Sequence, residues 1–297
     1  MKRAFVAVVA VFLLAVAGDG YSSTTVVSYW DPSWSPRGNT IAFVDRGDTP
    51  GDLYLVKGDG TNLRKVTKSS YPPGPNYSAR NPSWSPDGTK IAFGYGYYGI
   101  SIIHADGSGF AQLRREGDMP AWSPRGRRIA FVAPDWPAAS VWVMRPDGTG
   151  KTLVAAPPRD ERSLFAPAWS PNGELLAFCV GTAADSTVRP GYLAIVSRYR
   201  GRFTRLLRGL NPSYVDWSPD GKKLAVAFDP VTNDPRGFQN IRVGVFDLRT
   251  RHLKQLHFGL HPTWSPNGRR IAFTDGGDIW VINANGSGAH RITHRPA

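Results

Sequence analysis

Apolar and polar positions recur six times along this chain in one phase. A Trp-Ser-Pro-x-Gly segment, with Trp at 34, 84, 122, 169, 217 and 264, is followed after two residues by an Ile/Leu-Ala-Phe/Val run ending at Phe43, Phe93, Phe131, Phe178, Val226 and Phe273. Ser-Pro-x-Gly suits a tight turn, because Pro presets φ at its second position and Gly tolerates a positive φ at its end. The Trp segment and the Ile-Ala-Phe segment therefore read as the two arms of a hairpin. Ile and Phe, two apart, share one face of the second strand and Ala takes the other. Both faces are apolar, so both must be covered, and the small Ala lets a neighbouring sheet come close.

A third β-rich run follows each hairpin, as in DLYLV at 52–56, SVWVM at 140–144 and DIWVI at 278–282. Asp-Gly or Asn-Gly turns come next at Asp106-Gly107, Asp147-Gly148 and Asn285-Gly286, with Gly58-Asp59-Gly60 in the first copy. These are strong hairpin signals. A fourth strand then closes each unit, giving four strands in about 46 residues. One such sheet cannot bury two apolar faces alone, so the copies must stack, and stacking around an axis is the β-propeller arrangement. The expected fold is all-β: a six-bladed β-propeller with four antiparallel strands per blade, over residues 31–297.

The repeat resembles that of the TolB-type six-bladed propeller family, over roughly residues 30–295. The resemblance implies the fold and an interaction role at the cell envelope, but no catalytic residues. TolB itself carries an α/β domain before its blades, whereas only residues 18–30 stand between the leader of this chain and its first repeat. The same blades precede hydrolase domains in prolyl-oligopeptidase-like enzymes, and no such domain is read here. All six copies run in phase, so no strand is lent across the junction of blades six and one. The segment TTVVSYW at 24–30 is β-branched enough to cover that seam.

Residues 1–17 read as a secretory signal: Lys2 and Arg3, an apolar run over 4–14, then the small-x-small site Ala15-Val16-Ala17. The apolar run is shorter than the roughly 20 residues a membrane span needs, so no span is expected after cleavage. A secreted or periplasmic protein follows. The net charge of +13 falls by two, to +11, when Lys2 and Arg3 leave. Acidic partners such as wall polymers are compatible with this surplus, and nucleic acid is not expected outside the cell. The single Cys179 excludes an internal disulfide framework and a cysteine-built zinc site and reads as a small buried hydrophobe.

Three residues before each motif Trp stand Asp31, Asn81, Met119, Ala166, Tyr214 and His261, with Pro next in most copies. At the start of the innermost strands these six would ring the mouth of the channel. Asp31, Asn81, Tyr214 and His261 are the candidate binding residues there, suited to a cation or a peptide end. The long segments between strands open on the same face, and Tyr71, Tyr77, Arg80, Trp136, Phe165 and Phe238 make that face a second candidate surface. Arg-rich RYRGRFTRLLR at 198–208 is a candidate basic stripe or a solvated face. Neither a Gly-x-Ser-x-Gly elbow nor a His-Glu-x-x-His motif occurs, so no catalytic residue is assigned. No cofactor is expected, although a Ca2+ in the channel is compatible with the ring; no metal ligand is assigned. The favoured reading is a monomeric propeller that binds a protein or peptide. The alternatives are an enzyme at the channel mouth acting on a small or sugar-like substrate, and binding of an anionic wall polymer.

Overall fold

The computed structural model describes residues 28–46, 51–67, 78–96, 99–135, 138–157, 162–182, 191–197, 203–230 and 240–294. Among them lie six four-stranded antiparallel sheets, each built from consecutive strands in simple up-and-down order. The innermost strands are Tyr29–Trp34, Ala79–Trp84, Asp118–Trp122, Arg162–Trp169, Pro212–Trp217 and Leu260–Trp264. The first opens at Tyr29, inside the segment expected to precede the blades.

The Ile-Ala-Phe runs form the second strands, and every residue of the six runs is at most 1% exposed. Both faces are therefore covered, and the side chains explain how. Ala42 of blade one shares a cluster with Ile91 and Phe93 of blade two. Ala92 does the same with Ile129 and Phe131, Ala130 with Leu176 and Phe178, Ala177 with Leu224 and Val226, and Ala225 with Ile271 and Phe273. Each blade thus presses two large side chains onto the alanine of the blade before it. Large against small at every junction is what lets the sheets interdigitate at native density.

The seam obeys the same rule: Ala272 of blade six meets Ile41 and Phe43 of blade one. All four strands of blade six come from one continuous stretch, 260–291. The ring therefore closes by side-chain packing, with the Tyr29 N–H donating to Gly277 O at 2.8 Å. Tyr29 and Trp30 belong to the inner strand of blade one; residues 24–27 of the expected seam cover lie outside the described residues.

The motif Trp staples blades together in two ways. Trp84, Trp169 and Trp217 donate from Nε1 to the carbonyl of Ser33, Ala121 and Ala168 in the preceding blade, at 3.0–3.1 Å. Trp122, Trp264 and Trp34 instead donate their backbone N–H to the side chains of Ser83, Asp216 and Thr263. The accepting residue is always the one just before the motif Trp.

The turns add a third contact. Gly126, Gly173, Gly221 and Gly268 hold φ near 70°, and a Cβ there would lie 3.2–3.6 Å from the turn Pro of the preceding blade. Gly38, at the seam, has φ 136° and nothing within 4 Å. Arg270 of blade six crosses the same seam beside it. Its Nη2 donates to Asn39 Oδ1 at 2.7 Å and its Nη1 to Gly58 O at 3.3 Å, and its guanidinium lies 5.1 Å from the Trp34 ring centroid. Arg270→Ala should lower stability by about 1–2 kcal/mol, while Lys223→Ala at the same repeat position of blade five should have no measurable effect. Urea denaturation of both variants checks this, and equal midpoints would remove Arg270 from the seam.

Candidate functional site: the channel mouth

Each inner strand is broken just after its start. The register with the second strand shifts between Trp30 and Ser33, between Arg80 and Ser83, between Phe165 and Ala168, and between Leu260 and Thr263. At these breaks Asp31, Asn81, Ala166 and His261, and likewise Met119 in blade three, take φ of 48–55°. Each is followed by Pro. Tyr214, followed by Val215, has no positive φ. A non-glycine residue in this region costs roughly 1–2 kcal/mol. Because Met119 and Ala166 adopt it too, the bulge is a property of the blade.

The six ring residues, with the residue after each, line one open cavity of about 110 Å³. One half is polar. Asp31, 3% exposed, accepts from Arg46 Nη2 at 2.7 Å and from the Asn81 N–H at 3.0 Å, both on Oδ2. His261 Nε2 lies 3.1 Å from Asp31 Oδ1, yet Asp31 Oδ1 and His261 Nδ1 have no hydrogen-bond partner. The His261 ring is held edge-on by Tyr214 at 3.9 Å and Trp30 at 5.8 Å between centroids. Arg46 in turn sits over Trp30 at 5.4 Å. The other half is apolar: Met119 Sδ lies 3.2 Å from the Ala166 N–H.

The electrostatics follow from burial. Burial alone would raise the Asp31 carboxyl, but the Arg46 guanidinium, with His261 and the Asn81 N–H, outweighs it and holds the group below its ordinary value. Burial drives His261 down to about 4, the Asp31 charge only partly opposing it. The imidazole is therefore neutral at pH 7. Burial, then the Asp31 charge, pushes the Tyr214 phenol well up, so it stays protonated.

Sequence reasoning missed Arg46 and Asp118. Asp118 accepts from Arg80 Nε at 3.2 Å and from Asn81 Nδ2 at 3.4 Å, tying blade three to blade two. The available signal was opposite charges four residues before the motif Trp in adjacent blades, Arg80 and Asp118. Arg46 carried none.

The second candidate surface needs correction. Arg80 and Phe165 were expected on long loops, but both sit in inner strands, Ala79–Trp84 and Arg162–Trp169. Arg80 is drawn toward the mouth by Asp118, and Phe165 packs against the core between blades four and five. The segment 133–140, read as a loop, is largely the end of an extended hairpin. Tyr71, Tyr77, Trp136 and Phe238 lie outside the described residues. Of the Arg-rich segment, Phe203–Leu206 forms a fourth strand in which Arg205 lies 5.0 Å from the Tyr192 ring.

A family model for the TolB beta propeller domain matches residues 20–189, more than half of the chain. The chain belongs to this family. Solved structures agree in fold. TolB from Acinetobacter baumannii superposes with a TM-score of 0.63 at 18% identity, covering 89% of this chain and 62% of that one. The chain thus spans less than two thirds of that TolB. A protein of Agrobacterium tumefaciens described as a TolB gives 0.64 at 15% identity, covering 78% and 84%. Oligogalacturonate lyase from Vibrio parahaemolyticus gives 0.54 at 11%, covering 87% and 91%. No sequence among curated proteins matches. Propellers of the TolB type and a lyase thus share one scaffold, so any role rests on the site. Among the described residues no three His, Cys, Asp or Glu side chains converge. No helix there is long and apolar enough to cross a membrane.

Proposed function

We propose that this TolB-like propeller is an interaction module working outside the cytoplasm, secreted or in the periplasm. Its channel mouth binds a segment of a protein or peptide. One observation carries the reading. Asp31 and His261 line the mouth cavity, and each keeps one buried polar atom, Oδ1 and Nδ1, without a partner. With His261 neutral and its hydrogen on Nε2, His261 Nδ1 is an acceptor, and Asp31 Oδ1 is an open acceptor too, because the Nε2–H 3.1 Å away is not aligned to bond it. They call for a donor, such as a peptide ammonium or amide N–H, because an unmet buried acceptor is costly. The apolar side at Met119 and Ala166 offers a place for an aliphatic side chain. The leader-like residues 1–17 support the location.

The test is a photo-crosslinking residue at Val215, which lines the mouth, in intact expressing cells. A control carries it at Lys223, on the opposite face. Discrete protein adducts should form from position 215, and their yield should fall at least tenfold when Asp31→Asn is added. Adducts from position 223 alone, or a yield indifferent to Asp31, would reject the mouth as the binding site.

A further inference from the structure

The face of the ring opposite the mouth is formed by the short turns, and two of them break the pattern of the other four. In blades two, four, five and six the residue after Ser-Pro is Asp87, Asn172, Asp220 or Asn267. Each accepts the Ser hydroxyl of its own turn at 2.5–2.9 Å and the backbone N–H two residues on at 3.0–3.1 Å. In blades one and three that residue is Arg37 and Arg125, so those turns forgo both bonds, but only in blade three do two more arginines stand in the same turn. There Arg127 and Arg128 come after Gly126.

These three arginines come together on the surface. They line a groove of about 620 Å³ with Arg145 from the second turn of blade three, bounded by Gly173 of blade four. Among the described residues Arg125, Arg127 and Arg128 make no ion pair. Asp147, also in the groove, is engaged by the N–H and hydroxyl of Thr149 at 2.9 and 2.7 Å. Other carboxylates of this face are likewise folded into their own turns, as Asp59, Asp106 and Asp247 show. These acids are engaged in their own turns, whereas among the described residues Arg125, Arg127 and Arg128 have no carboxylate partner, and Arg145 contacts Thr149. A local rule broken without structural compensation is where a functional residue is expected.

We propose that this groove binds a soluble polymer carrying repeated phosphodiester groups. Guanidinium forks match phosphate oxygens two at a time and hold their charge at every physiological pH. Four of them along one groove suit a chain of phosphates. The inference is independent of the mouth, which lies on the other face.

Poly(glycerol phosphate) titrated into the full-length protein tests it, monitored by calorimetry at two salt concentrations. The key variant writes the blade-two turn into blade three, Arg125→Asp with Arg127→Thr and Arg128→Lys, a sequence this fold already accommodates; its thermal midpoint confirms folding. Arg37→Asp, in the turn of blade one, is the control. The polymer should bind more weakly as salt rises. The triple variant should lose at least tenfold in affinity and the control less than twofold. Polygalacturonate, a carboxylate polymer, should bind at least tenfold more weakly than the phosphate polymer. Undiminished binding by the triple variant, or equal loss in the control, overturns the site. Equal affinity for polygalacturonate overturns the phosphate assignment. Capture by phosphatidylglycerol vesicles without binding of the soluble polymer overturns the polymer in favour of a membrane surface.

Discussion

Asp31→Ala is expected to destabilise the propeller by about 3 kcal/mol, the largest effect of any single polar substitution at the mouth. The Asp31 side chain is 2% exposed and answers to three blades at once. It neutralises Arg46 of its own blade, accepts the Asn81 N–H of blade two and faces His261 of blade six. Alanine leaves a guanidinium and an amide without their acceptor. Arg46, whose side chain is 33% exposed, can turn partly toward water, which keeps the loss at the lower end of what broken buried pairs cost. For a chain of this size the melting temperature should drop by roughly 6 °C. Asp31→Asn keeps an acceptor and should cost about half as much. Calorimetric melting of both variants measures this. A change below about 0.5 kcal/mol for alanine, the size of an ordinary surface substitution, would mean that the carboxylate does not tie the three blades.

Acid stability should reveal two groups that oppose each other. His261 titrates near 4 in the fold against an ordinary 6.5. The unfolded chain takes that proton first, so the stability His261 contributes is present above pH 6.5 and is lost as pH falls to 4. Asp216 behaves in reverse. Burial raises it from 3.8 to about 6, although it accepts from the Trp264 and Trp217 N–H groups. The stability it contributes is present below pH 3.8 and is lost as pH rises through 6. Between pH 4 and 6 the two slopes offset in the native protein. Below that window Asp31, held under its ordinary value, adds a further loss as it protonates. Each linkage is worth about 2–3 kcal/mol. His261→Asn should therefore become more stable from pH 6 to pH 4 relative to wild type, and Asp216→Asn less stable. Urea midpoints across pH 4–7 for both variants give the difference directly, expected to swing by about 5 kcal/mol with the common background cancelled. Parallel curves would show that neither group is perturbed as described.

The blade count and the alternation of large and small side chains were legible because both repeat. Six Trp-Ser-Pro-x-Gly turns and six Ile-Ala-Phe runs leave little freedom in period, and burial on both faces follows from apolar residues at adjacent strand positions. The ring positions were legible for the same reason: a fixed offset from Trp placed Asp31 and His261 together although they are far apart in the chain. What could not be read is what departs from the repeat. Arg46 reaches the mouth through its length. Arg270 bridges the seam through Asn39 and Gly58, where Gly38 lacks the proline contact made by the turn glycines of blades three to six. Arg80 and Phe165 looked like loop residues because a bulged strand start, with Pro and polar neighbours, imitates a loop in composition.

The in-phase closure of the ring has a consequence for how such a molecule changes over generations. Since no sheet is shared between the two chain ends, each unit is complete within one uninterrupted stretch of gene. Duplication or loss of one such stretch would add or remove a whole vane and leave no half-built sheet behind. Only the arginine-bridged joint would need to be remade.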